Sequence, residues 1–216
     1  MDERTHVGVL DYGCGNIRSV CNALEMAGGE GRLVSSGAEM ERCRCLVLPG
    51  VGSFDHAMNN LRERGFVERL AAWIDCPGHR LLGICLGMQL LCLGSDESTA
   101  SVAGLGFIEA DVKSLRERAG DRVKVPHMGW NSIEVTASAG AGGLLRDISD
   151  DTDFYFLHSY GVYARERGAA LAQTRHGEAC FDSVITNGAN VFGMQFHPEK
   201  SQSAGLHLLK NFLADA

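Results

Sequence analysis

Residues 80–92, RLLGICLGMQLLC, are apolar almost throughout, and they change character midway. RLLGIC reads as a strand and LGMQLLCL as a helix, with Cys85 at the changeover between Gly83 and Gly87. A buried cysteine acting as a small hydrophobe needs no glycines around it. Glycine two residues to each side instead lets strand and helix approach closely and drives the chain through a sharp elbow. An elbow of this kind demands a strand running straight into a helix, and the rest of the N-terminal half supplies more such units. HVGVLDY (6–12), RLVSS (32–36) and CLVLPG (45–50) read as strands, with helical patterns over 16–27 and 54–74. Strand, helix, strand in this order argues for a parallel sheet. The second half is richer in strands: FIEADVKSL, NSIEVTA, DFYFLHSYGVY, CFDSVIT and VFGMQFH precede a final helix from Ser203. The expectation is one α/β domain over 1–216, with a central mixed, mostly parallel sheet flanked by helices. TASAGAGG (136–143) is expected to be a loop.

Cys85 falls at the carboxyl end of a strand, where α/β sheets collect their chemistry. The helix that follows directs partial positive charge at the sulfur and favours thiolate. The Leu86 N–H points to where an oxyanion would form. A nucleophile of this kind needs a base, and most of the eight histidines have an ordinary structural reading. His207 lies in the terminal helix, and His6, His56, His79 and His176 stand in polar or turn-like stretches. His197, in QFHPEKS, ends a strand with Glu199 two residues on. In extended backbone, residues i and i+2 project to one side, about 6–7 Å apart. That spacing can set a carboxylate behind an imidazole to fix its tautomer; a plain strand-end polar pair is the alternative. A third strand end, LPGVGSF (48–54), has glycines around Val51 that let backbone N–H groups face a ligand, or simply make a turn.

Other readings are excluded or set aside. Twenty Lys and Arg against 27 Asp and Glu give a net charge of −7, so nucleic-acid binding is not expected. No apolar stretch is long enough to span a bilayer, and MDERTHVGVL lacks the basic start and apolar core of an export signal. A cytoplasmic protein is expected. The eight cysteines contain no C-x-x-C pair, and Cys43-Arg44-Cys45 is no metal site by itself, so no metal is expected. DYGCGNIRSV begins like a dinucleotide fingerprint, but Arg18 stands in place of the third glycine, so no such cofactor is expected. GLG at 104–106 reads as a turn.

GICLGMQLL together with FHPEKS resembles the class I (triad) glutamine amidotransferases. DYGCGN, LPGVGSF, VPHMGWN, FLHSY and GMQFHPEKS are similar to one branch, the glutaminase subunits of imidazole glycerol phosphate synthases of histidine biosynthesis. The resemblance runs from about residue 7 to residue 213. It implies a flavodoxin-like fold and a Cys85–His197–Glu199 triad that hydrolyses glutamine through a cysteine thioester. It further implies an oxyanion hole from Val51 or Gly52 with Leu86, and glutamine contacts from Gln89, His158, Ser159 and Tyr160. The implied partner is a (βα)8-barrel cyclase in a heterodimer. Ammonia would travel through the barrel to make imidazole glycerol phosphate and AICAR, with no cofactor. Docking would fall on Asn16, Met128, Trp130, Asn131 and Lys200, although Trp130 equally suits a core position and Lys200 a solvated one. The alternatives are a paralogue feeding ammonia into sugar-amine synthesis for surface polysaccharides and a non-catalytic regulatory subunit.

Overall fold

The computed structural model describes residues 5–120, 123–136 and 143–214; all but the ends of the expected 136–143 loop lie outside them. The N-terminal half runs β1 (His6–Leu10), α1 (Ile17–Met26), β2 (Glu30–Val34), α2 (Gly37–Met40), β3 (Cys45–Leu48), α3 (Phe54–Glu63), α4 (Phe66–Ile74), β4 (Arg80–Ile84) and α5 (Leu86–Leu90). It continues through β5 (Gly94–Ser95), β6 (Ala110–Ser114), α6 (Leu115–Ala119), β7 (His127–Ser132), β8 (Glu134–Val135), β9 (Asp153–His158) and β10 (Tyr160–Ala164). It closes with β11 (Ala170–His176), β12 (Ala179–Thr186), β13 (Val191–Met194) and α7 (Gln202–Ala214).

The main sheet has the order β2-β1-β3-β4-β13-β12-β10-β6-β5, with β11 on β12 and β8 on β11. From β2 to β13 the strands are parallel; β12, β10 and β6 then alternate antiparallel, and β5 lies parallel to β6. The mixed, largely parallel α/β sheet matches the expected class. Successive residues of the central strands face opposite sides, which divides the core in two. Val7, Val9, Val47, Leu82 and Ile84 pack toward α1 and α7, whereas Leu46, Leu48 and Leu81 pack toward α3 and α4.

The structure departs from the sequence reading at several places; α2, α6 and the strand β11 were not expected. The helix expected over 54–74 is two, because Gly65 takes φ 67 and ψ 26, a left-handed turn that ends one helix and starts the next. DFYFLHSYGVY is likewise two strands in different sheets: β10 joins the main sheet, and β9 pairs with β7 in a separate two-stranded ribbon. The expected strand NSIEVTA is also divided, Asn131 and Ser132 ending β7 and Glu134–Val135 forming β8. The start of β7, HMGW, was not expected, since its residues carry none of the β-branched signal that marks strands. The ribbon alternates cleanly: Phe154, Phe156 and His158 are buried, while Leu157, Met128 and Trp130 face outward.

Candidate active site

Three strand ends meet at the site, those of β3, β4 and β13. Cys85 follows β4 with φ 53 and ψ −109, a backbone state that only glycine adopts readily. The elbow is tight because the glycines admit no side chain: a Cβ on Gly87 would sit 1.8 Å from the Leu48 carbonyl oxygen. A Cβ on Gly50 would lie 2.7 Å from the Gly87 nitrogen, so the PGVG loop after β3 rests directly against the start of α5. The loop is held at both ends. The Tyr12 hydroxyl donates to the Pro49 carbonyl at 2.6 Å, and the Phe54 N–H donates to Glu97 Oε2 at 2.9 Å.

Parallel pairing of β4 with β13 sets Met194 beside Ile84, and the Cys85 N–H donates to the Met194 carbonyl at 2.8 Å. His197 therefore arrives next to the sulfur from 112 residues away (197 − 85). Its own N–H donates to the Tyr155 carbonyl at 2.9 Å. Its Nδ1 meets Glu199 Oε1 at 2.9 Å, both side chains almost wholly buried. The route differs from the extended i, i+2 geometry expected. Pro198–Lys200 form a 3₁₀ turn with proline at its start, and the turn brings Glu199 back beneath the ring. Burial alone would push His197 down; hydrogen bonds to Cys85 and Glu199, and their charges, outweigh it and raise the imidazole to about 10. The arrangement suits an imidazole that takes up and holds a proton beside the sulfur.

A cavity of about 310 Å³ opens over Cys85. Its lining includes Val51, Gly52, Leu86, Gln89, His158, Ser159, Tyr160, His197 and Lys200, so the residues expected at the oxyanion hole and substrate contacts converge. Glu199 stands behind His197, outside that lining. Gln89 is buried, and both its N–H groups are taken, by the Tyr160 carbonyl and Gln195 Oε1, each at 3.1 Å. What it can offer a ligand is its Oε1, an acceptor.

The His158 side chain has other duties. Its Nδ1 donates to the Tyr160 carbonyl at 2.7 Å, and its Nε2 accepts from His127 Nδ1 at 3.0 Å. Burial pushes both rings down, His127 to about 4 and His158 to about 3, so both are neutral. His176, expected in a polar or turn-like stretch, ends β11 and stacks on His127 with centroids 4.1 Å apart.

Of the residues expected to dock a partner, Met128 and Trp130 are 63% and 48% exposed and share the outer face of the ribbon with Leu157, 38% exposed. Lys200 lies 5.7 Å from the Tyr155 ring, and Asn16 is exposed at the start of α1. Asn131 alternates to the inner side. Its amide donates to His127 Nε2 at 3.1 Å and to the Arg175 carbonyl at 3.0 Å, so it supports the ribbon rather than forming its face.

Sequence reasoning missed Glu97 and Gln195. No local pattern marks Glu97, which reaches the cavity from the segment after β5. Gln195 had a signal: it alternates with His197 along one strand end, and the two project to one side. Among the described residues, no group of three or more His, Cys, Asp or Glu is placed to hold a metal, and no helix is long and apolar enough to cross a membrane.

Residues 9–216 match the class-I glutamine amidotransferase family. The chain is 43% identical over 206 residues to the imidazole glycerol phosphate synthase subunit HisH of Moorella thermoacetica, covering 95% of this chain and 93% of that protein. It is 41% identical to the subunit of the same name from Chlorobium luteolum, with 95% and 98% covered. Among solved structures it is similar to a glutamine amidotransferase, with TM-score 0.68, 23% identity, and 95% and 98% covered. It also resembles PurLQS from Thermotoga maritima, with TM-score 0.72, 16% identity, and 98% and 99% covered. At those identities the structural likeness speaks for the fold.

Proposed function

The chain belongs to the class-I glutamine amidotransferases, and from that premise we propose that it is the glutaminase subunit of an imidazole glycerol phosphate synthase. It supplies ammonia for histidine biosynthesis, as one amidotransferase domain acting in the cytoplasm. The observation that carries this reading is the convergence of an elbow-borne Cys85 and a Glu199-backed His197 on one cavity.

Cys85 gives its proton to His197, and the sulfur attacks the side-chain carbonyl carbon of glutamine. The carbonyl oxygen takes up negative charge opposite the N–H of Leu86 and an N–H of Val51 or Gly52, the loop that Tyr12 and Glu97 hold in place. His197 then protonates the departing nitrogen, and ammonia leaves as the carbon–nitrogen bond breaks. Water, deprotonated by His197, attacks the thioester, and glutamate departs as the thiol re-forms. Glu199 keeps the Nδ1 proton of His197 in place throughout. At the far end of the cavity a free amino acid presents two charges. Glu97 is placed for the ammonium group, Gln89 Oε1 for a substrate N–H, and the Ser159–Tyr160 backbone for the carboxylate.

Ammonia is a nucleophile only while unprotonated, so its acceptor site must sit against the cavity mouth. The partner is a (βα)8-barrel cyclase, docked on Met128, Trp130 and Leu157. Supporting this are the contiguous exposed apolar face and its position along the mouth, where Leu157 and Lys200 line the cavity. The test is glutamine hydrolysis with and without the barrel cyclase loaded with its nucleotide substrate. Stimulation, formation of the imidazole product and abolition by Cys85→Ala are expected. No stimulation and no imidazole product would refute the assignment, and hydrolysis unaffected by Cys85→Ala would remove Cys85 from the mechanism.

A further inference from the structure

The triad leaves one buried polar group against the sulfur unexplained. Gln195 is fully buried, and its Nε2 lies 3.7 Å from Cys85 Sγ. The orientation of a side-chain amide follows from what surrounds it, and here nothing is left to choose. The Tyr160 carbonyl can only accept, so Gln89 must turn its NH2 toward it; the second hydrogen of that NH2 reaches Gln195 Oε1. With its oxygen committed, Gln195 presents N–H to the sulfur. The same carbonyl is fixed from the other side by His158, His127 and Asn131 in turn, each donating to the next acceptor. The backbone of Gln195 is tied as well, its N–H donating to the Ser183 carbonyl at 2.9 Å.

Cys85 Sγ has a second neighbour of opposite character, the Leu157 carbonyl oxygen at 3.7 Å. An acceptor there suits S–H, whereas the N–H of Gln195 suits a sulfur bearing negative charge, where a hydrogen bond is charge-assisted and stronger. We propose that Gln195 is a further catalytic residue, whose locked N–H holds the Cys85 sulfur as thiolate for attack and receives it again when the thioester breaks. The S–H proton goes to His197, the electron pair stays on sulfur, and Gln195 neither gains nor loses a proton. The inference rests on the reading of Cys85 as nucleophile. The titratable groups around the sulfur are His197 with Glu199 behind it, then Glu97, Lys200 and the neutral His158, which line the same cavity, and Tyr12, whose hydroxyl is committed to Pro49. None of these is altered in the variants below.

Gln195→Met keeps length but deletes both the N–H and the oxygen that accepts from Gln89; Gln195→Glu keeps shape and that oxygen and replaces only the N–H by oxygen. The measurement is iodoacetamide alkylation of Cys85 in the full chain between about pH 5 and 10, with Cys85 resolved from the other cysteines by peptide mass spectrometry. Losing one hydrogen bond to a charged atom moves the alkylation midpoint up by about one pH unit in Gln195→Met, which is about tenfold slower reaction near neutrality. The alkaline plateau is unchanged, and Gln195→Glu shifts further. In glutamine hydrolysis by Gln195→Glu, which keeps the oxygen that holds Gln89, kcat falls while KM holds, since Gln195 touches the sulfur and not the substrate. A curve superimposed on that of the unsubstituted chain overturns the proposal, and so does a loss confined to the plateau. Independently of how the variants fold, the side-chain NH2 resonance of Gln195 in the unsubstituted chain shifts with the alkylation midpoint; a resonance indifferent to that titration also overturns it. Should the chain show the alkylation shift yet hydrolyse no glutamine even with the loaded cyclase, the Gln195–thiolate contact stands and the glutaminase reading falls.

Discussion

Cys85→Gly should be more stable than Cys85→Ala, the reverse of the usual order. Both substitutions remove the thiol, and with it the contacts to His197, Gln195 and the Leu157 carbonyl, so their difference isolates the Cβ atom. Cys85 holds φ 53 and ψ −109. Keeping any side chain in such a sparsely populated state costs about 1–3 kcal/mol. Against this, glycine loosens the unfolded chain and destabilises by about 0.4–1 kcal/mol relative to alanine. The balance favours Cys85→Gly by up to about 2.6 kcal/mol, and by about 1.3 kcal/mol at the middle of both ranges. Urea unfolding followed by far-ultraviolet circular dichroism reads it directly as a higher midpoint with unchanged slope. Neither variant is expected to hydrolyse glutamine, so activity does not enter the comparison. If Cys85→Ala proves equally stable or more so, the elbow stores no strain, and the argument from its dihedral angles is wrong.

Three further outcomes are expected. His197, raised from 6.5 to about 10 against the opposing effect of burial, contributes stability that is fully present below pH 6.5 and lost as pH rises through about 10. The unfolding free energy of the parent minus that of Cys85→Ala should therefore decline across that window in urea titrations at a series of pH values; a constant difference would contradict it. Gly87→Ala forces its new methyl group into the Leu48 carbonyl, 1.8 Å away, so α5 must retreat. Destabilisation of about 1–3 kcal/mol and roughly a hundredfold loss of glutamine hydrolysis should follow, measured by urea unfolding and glutamate release. Trp130→Ala, on the exposed face of the ribbon, should leave the free chain within about 0.5 kcal/mol of the parent. It should weaken calorimetric binding of the barrel partner by at least about 2 kcal/mol, and unchanged binding would remove Trp130 from the interface.

The strands up to β4, helix α1 and the turn at Cys85 were legible because each is governed by residues within a few positions: apolar periodicity, a glycine pair, the end of a strand. Elsewhere the same local signals failed. The stretch 54–74 kept helical spacing across Gly65, and only the backbone angle of that residue shows the break. DFYFLHSYGVY kept strand character across Ser159, although its two halves belong to different sheets. His197 and Glu199 were paired correctly for the wrong reason, since Pro198 folds a 3₁₀ turn where extended backbone was expected.

The sequence by itself determined that a cysteine would stand at a strand-to-helix elbow, because two glycines and a change of period are local facts. It also placed a carboxylate two residues after His197, although Glu178 after His176 and Asp55 beside His56 carry the same local signal. Only the tertiary structure decided that β13 lies beside β4, and so that His197 meets Cys85. It alone placed Glu97 in the cavity and turned the Gln195 amide toward the sulfur. The orientation of that amide is set by hydrogen bonds reaching it from Gln89 and, through the Tyr160 carbonyl, from His158 and His127. Such bonds join residues 71 and 106 positions apart. No periodicity records them, because the direction of a hydrogen bond depends on which groups meet in space.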